Sequence, residues 1–315
     1  MNHFADRLIA AVRAKGNPVC AGLDPRFDQL PASIRDSAIR THGKTAKAVA
    51  EAFIEFNREL LDALADLVPV CKPQVAFYEE FGHEGMRAYA ETIRHAKARG
   101  FVTIGDAKRG DIGSTAVAYA RAHLGGMSIT GGERVGFDSD ALTVNPYLGH
   151  DTLMPYLEIG AQNGHGLFVL VKTSNPGSGD LQDLKAEGKP VYEHVAEMVN
   201  KLGEKHRGAS GFHIVGAVVG ATYPQQLTEL REKMPEALLL IPGYGAQGGT
   251  ADDAARGFHR DGLGAVVNNS RALVFAYKES AYAKEFGEAR FADAARAAAQ
   301  RMAEDLNAAL AKRRA

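Results

Sequence analysis

Only two cysteines, Cys20 and Cys71, occur in 315 residues, and no CxxC pair is present. That excludes a disulfide framework and gives no cysteine-based zinc signal. Both lie in short apolar runs and read as reduced, packed thiols. Charge of one sign is missing too: 37 Lys and Arg stand against 38 Asp and Glu. No general basic surface favours nucleic acid, so any bound phosphate needs a local site. No apolar run reaches the ~18 residues needed to span a bilayer. The opening MNHFADRLIAAVRAKGN carries Asp6 and Arg7 where a leader needs an apolar stretch. Its Phe4, Leu8, Ile9 and Val12 fall at helical spacing, which predicts a helix capping the domain. A soluble cytoplasmic protein without a membrane partner is expected. The eleven histidines form no HxH or HExxH pattern, and neither a nucleophile elbow nor a P-loop occurs.

What is present is a repeat. With 45% hydrophobic and 24% charged residues, the chain can bury a full core. Short β-branched apolar runs alternate with loops rich in Asp, Lys, Asn or Gly and with amphipathic helices. The runs are NPVCAGLD, VPVCK, FVTIGDAK, ALTVNP, LFVLVKTS, HIVGAVVGAT, LLLIPG and GAVVNNS. Apolar runs without polar alternation suit parallel strands buried on both faces. A helix follows the first, with Phe53, Phe56, Leu60, Leu61, Leu64 and Leu67 on its apolar stripe. Eight such units predict an α/β fold: one (β/α)8 barrel spanning 1–315, with an N-terminal capping helix and an extended C-terminal helix from about 290. The alternative is a doubly wound sheet, although LDPRFDQLP after the first strand is not the Gly-rich turn such sheets carry. The Gly-rich stretch 125–140 reads as an elaborated connection before the fourth strand.

In a barrel, functional groups gather at the C-terminal ends of the strands. Those ends here carry Asp24, Lys72, Asp106, Lys108, Asn145, Lys172, Ser174, Gln247 and Arg271. The densest cluster is GDAKRGDIGST. Asp106 and Lys108, two apart on a strand, face the same side, and Asp111 follows at the exit. Carboxylates beside an ammonium favour its charged form and repel an incoming anion. A surface salt bridge is the bland alternative. PGYGAQGG after the seventh run and NNSRALVFAY after the eighth occupy the loops where barrels often hold phosphate. Glycines admit backbone N–H groups close to an anion, and Arg271 offers a bidentate contact. The other reading is a pair of plain turns. KTSNPGSGD after the fifth run, taken alone, is an ordinary loop.

DAKRGDIGST at 106–115 resembles the D-x-K-x-x-D-I-x-x-T signature of the orotidine 5′-monophosphate decarboxylases. Asp24, Lys72, the TSNPG segment at Ser174, GAQGG at Gln247 and Arg271 match that family in order, from about residue 20 to 275. The long 125–140 region and the KPQ and KTSNP wording are similar to its longer bacterial subgroup. The resemblance implies conversion of orotidine 5′-monophosphate to UMP and CO2 without a cofactor or metal, through a C6 carbanion stabilised and protonated by Lys108. It implies a charge network of Lys72, Asp106, Lys108 and Asp111. Asp24 and Lys72 would contact ribose hydroxyls, Ser174 the pyrimidine edge, and Gln247 and Arg271 the phosphate. Ile112 belongs to the implied substrate-binding set. Asp111 and Thr115 would come from the other subunit of a homodimer with composite sites. Lys72-Pro73-Gln74 departs from the K-x-H of some members. Three rivals are a magnesium-dependent sugar-phosphate decarboxylase or aldolase of the same barrel group, a Schiff-base aldolase using Lys72 or Lys172, and a non-catalytic nucleotide-binding barrel. Lys72 is a poor metal ligand where the first of these places an acid.

Overall fold

The computed structural model describes residues 3–125, 135–245 and 248–314. All eight apolar runs become strands: β1 Val19–Leu23, β2 Val70–Pro73, β3 Val102–Arg109, β4 Ala141–Val144, β5 Gly166–Lys172, β6 Val215–Val219, β7 Leu239–Ile241 and β8 Ala265–Asn269. Each pairs in parallel with its sequence neighbours, and β8 returns to β1 at Val19↔Val267, which closes the barrel. Closure rules out the doubly wound alternative. The strands are almost wholly buried, as parallel strands covered on both faces must be.

The helix Ala46–Leu64 begins where the Thr45 hydroxyl accepts from the Ala48 N–H at 3.3 Å. Its stripe buries Phe53, Phe56, Leu60, Leu61 and Leu64, each contributing about 1.5–3 kcal/mol. Leu67 falls in the turn after the helix and is only partly buried. The helix Phe291–Arg314 packs alongside it: Phe291 stacks on Phe56 with centroids 5.0 Å apart, and Arg296 grips Asp66 through both nitrogens.

The N-terminal helix Phe4–Lys15 caps the amino-terminal mouth of the barrel. Phe4 meets Phe168 of β5 edge-on at 5.9 Å, and a Cβ at Gly166 would stand 2.1 Å from the Phe4 ring. Only glycine lets the plug seat there. Arg7 pairs with the buried Asp140 carboxylate at 2.6 Å, and Asp140 also accepts from the Thr103 backbone and hydroxyl. The bottom of the barrel is thus sealed, and the open end is the one where the strands exit. Of the long connection expected at 125–140, residues 126–134 lie outside the described residues, while Phe137 folds back against Tyr89 at 4.9 Å. Among the described residues, no helix is long and apolar enough to cross a membrane.

Candidate active site

A cavity of about 570 Å³ opens at the strand exits, within the range of small-ligand sites. Leu170, Val218 and Leu240 of β5, β6 and β7 make an apolar floor. Lys72, Gln74, Asp106, Lys108 and Thr143 form a charged wall from β2, β3 and β4. Asp24 and Asn268 stand beside that wall, Thr173, Ser174 and Gln182 form the opposite side, and Pro242, Gly243 and Arg271 close one end.

Asp106 is the hub of the charged wall. Its Oδ2 accepts from Lys72 Nζ at 2.6 Å and Gln74 Nε2 at 2.9 Å; its Oδ1 accepts from Lys108 Nζ at 2.5 Å and the Thr143 hydroxyl at 3.0 Å. Burial by itself would push the Asp106 carboxyl up, but the Lys72 and Lys108 ammonium groups override it and hold the carboxyl far below the usual range. Lys72, only 4% exposed, is likewise penalised by burial, yet the Asp106 and Asp24 carboxylates raise its pKa above the ordinary lysine value. Asp24 shows the opposite balance: burial dominates and raises its pKa against the pull of Lys72 and a Ser270 hydrogen bond. Its buried Oδ1 has no partner among the described residues, leaving an acceptor lone pair beside the cavity.

Lys108 does not lie on an undisturbed strand. Register between β3 and β4 shifts between Gly105 and Arg109, and Lys108 takes φ +50°, the left-handed region that side chains disfavour. Such a residue costs about 1–3 kcal/mol and persists only where its surroundings over-determine it. Here the Lys108 N–H donates to the Thr143 hydroxyl at 2.9 Å, while that hydroxyl donates to Asp106. Thr143 therefore fixes the backbone and the carboxylate together. Sequence reading missed Thr143; its position two residues before the strand-end Asn145, on the same face, was the available signal.

Other anticipated positions are distributed differently. Ser174 and Arg271 line the cavity. Gln247 lies outside the described residues, whereas its neighbours Pro242, Gly243 and Tyr244 reach the cavity. Asp111, Ile112 and Thr115 are not among the described residues that line it: Asp111 and Ile112 follow the exit of β3, Thr115 lies in the first turn of the helix Gly113–Leu124, Ile112 is 62% exposed, and Asp111 accepts from the Ile112 N–H. Asn145 is spent on a turn, accepting from the Tyr147 N–H at 3.0 Å. Lys172 is fully buried outside the cavity and paired with Asp183 at 2.6 Å. Cys20 is fully buried, and burial pushes its thiol up to about 12, the reverse of the lowering that activates a thiolate.

A closed parallel barrel with buried acids and ammonium groups interleaved at its strand exits defines an enzyme of the (β/α)8 class, with its chemistry at the carboxyl face. Residues 17–286 match the model of the Orotidine 5′-phosphate decarboxylase / HUMPS family, and the chain belongs to that family. An orotidine 5′-phosphate decarboxylase of Rhodopirellula baltica is 50% identical over 306 residues, covering 97% of this chain and 99% of the relative. One from Petrotoga mobilis is 41% identical over 303 residues, covering 96% and 97%. The solved OMP decarboxylase of Leishmania donovani superposes with a TM-score of 0.72 at 32% identity, covering 98% of each chain.

Proposed function

We propose that this chain, as one catalytic domain, decarboxylates orotidine 5′-monophosphate to UMP and CO2, with Lys108 as the group that meets the reacting carbon. The observation that carries the reading is Asp106 buried between two ammonium groups on the cavity wall. Breaking the C6–carboxylate bond leaves its electron pair on C6, in the ring plane, with no adjacent carbonyl to delocalise it. Preset electrostatics must then stabilise the charge, and the Lys108 ammonium both faces it and supplies the proton that completes UMP. Asp106 sets the position of that ammonium and stands near the departing carboxylate.

The substrate's other parts find matching groups. Asp24 Oδ1, buried without a partner among the described residues, suits a ribose hydroxyl. Ser174 takes the pyrimidine edge. Arg271, with Gln247, takes the phosphate, whose binding energy can drive closure of the 242–249 loop. Arg271→Ala should lower kcat/KM for the nucleotide by about 10- to 100-fold, the range of one charge-assisted hydrogen bond, and Gln247→Ala should act in the same direction. Turnover of orotidine, which lacks the phosphate, should not change with Arg271→Ala. An equal loss on both substrates would remove the phosphate assignment.

The rivals fit the site less well. Both oxygens of Asp106 are filled by four donors, so no lone pair is free for a divalent cation. A Schiff-base lysine needs a lowered pKa, and that of Lys72 is raised. We assign a homodimer in which Asp111 and Thr115 complete the neighbour's site. The exposure of Ile112, Tyr147 and Leu148 on the loops after β3 and β4 supports such a face. The free, buried cysteines accord with a cytoplasmic enzyme. The decisive assay follows the ultraviolet absorbance of orotidine 5′-monophosphate with purified protein in EDTA. Steady loss of substrate with UMP formation is the expected result, and no turnover with or without magnesium would refute the function.

A further inference from the structure

We propose that Lys172 is a positioning residue that holds the base-contacting loop 173–182 in its binding shape. The inference rests on the decarboxylase reading, because it takes Ser174 as the group at the pyrimidine edge.

Lys172 ends β5 with its side chain entirely buried, yet it lines no part of the cavity. A buried ammonium is tolerated only when paired, and an apolar residue of similar length would fill the space at lower cost. Its partners show what the charge does. Nζ donates to Asp183 Oδ1 at 2.6 Å, across the mouth of the loop. One residue further in, the Thr173 N–H donates to Gln182 Oε1 at 2.9 Å and Gln182 Nε2 donates back to the Thr173 hydroxyl at 2.8 Å. The loop base is therefore a two-rung ladder, Lys172–Asp183 and Thr173–Gln182, and the second rung together with Ser174 lines the cavity.

The same ammonium stands over the Tyr223 ring, 4.5 Å from its centroid. The Tyr223 hydroxyl donates to the Asn175 carbonyl and accepts from the Ser178 hydroxyl, each at 3.3 Å, propping the middle of the loop. Thr222 next to it donates to the Ser174 carbonyl at 3.2 Å. One buried charge thus secures the far base of the loop directly and its middle through a ring. Without it, the loop must be ordered when the base binds, and affinity falls by the fraction of time the competent shape is populated.

The test compares two ligands that differ only in the part this loop meets, UMP and ribose 5-phosphate, by calorimetry on the full-length protein. Lys172→Met should weaken UMP about tenfold, as expected if the competent loop is populated about a tenth of the time, and leave ribose 5-phosphate within about twofold. Asp183→Asn, a near-isosteric change at a half-exposed side chain, should act in the same direction and guards against a Met variant that fails to fold. A merely structural role would lower Tm and leave the ratio of the two affinities unchanged, and that result overturns the proposal while sparing the function. Failure of the unaltered protein to bind UMP would overturn both.

Discussion

Lys108→Ala should lose nearly all turnover of orotidine 5′-monophosphate while still binding UMP. The side chain is proposed to stabilise the C6 carbanion and to protonate it. An electrostatic contact of this kind is worth on the order of 10²–10³ in rate, and general acid catalysis ~10²–10⁴. Removing both together predicts a fall of at least about 10⁴-fold, in kcat and kcat/KM alike, because the contact is made only as charge develops. UMP carries neither the carboxylate nor the carbanion, so its Kd should move little. The checks are steady-state kinetics and calorimetric titration of the same preparation. Turnover near that of the unaltered protein would end the assignment. A parallel loss of UMP affinity would instead make Lys108 a binding residue.

Asp106→Ala should cost stability as well as activity. It removes the carboxylate shared by two ammonium groups and leaves Lys72, 4% exposed, without its nearest counter-charge. Deleting one partner of a buried pair costs about 3–5 kcal/mol, which for a domain of this size is on the order of 10 °C in Tm. Adding Lys72→Met to the same chain removes the stranded charge and should restore much of the loss; a thermal-unfolding cycle over the four proteins measures that coupling. The pH dependence follows from the directions of the shifts. The Asp106 carboxyl is held below its ordinary value, so its contribution is complete above the usual carboxylate range near about 4 and is lost as acid titrates it towards the lower folded value. Lys72 is raised, so its contribution is complete below the ordinary lysine value and fails only in strong alkali. The gap in stability between the unaltered protein and Asp106→Ala should therefore be widest near neutral pH and shrink on acidification. Identical unfolding midpoints at neutral pH would refute the pairing as a source of stability.

The amino-acid sequence by itself determined the eight strands, the helix that plugs the barrel and the stretches that reach its open end. Burial on two faces forces continuous apolar runs, and helix capping and periodicity are local properties written into neighbouring residues. It likewise determined that Asp24, Lys72, Asp106, Lys108, Ser174 and Arg271 stand at strand exits, since position in the repeat carries that information. Only the tertiary structure decided what those side chains touch. Thr143 reaches Asp106 from 37 positions away, and Lys72 from 34, through barrel registers that no local pattern specifies. The same holds for the left-handed Lys108, made tolerable by the Thr143 hydroxyl, and for the Asp24 oxygen without a partner among the described residues. Lys172 illustrates the division: its place at a strand end is shared with Lys72, yet one turns into the cavity and the other into a buried pair behind it. Hydrogen bonds between distant residues form or fail on the order of an ångström, and closure of the barrel sets that distance.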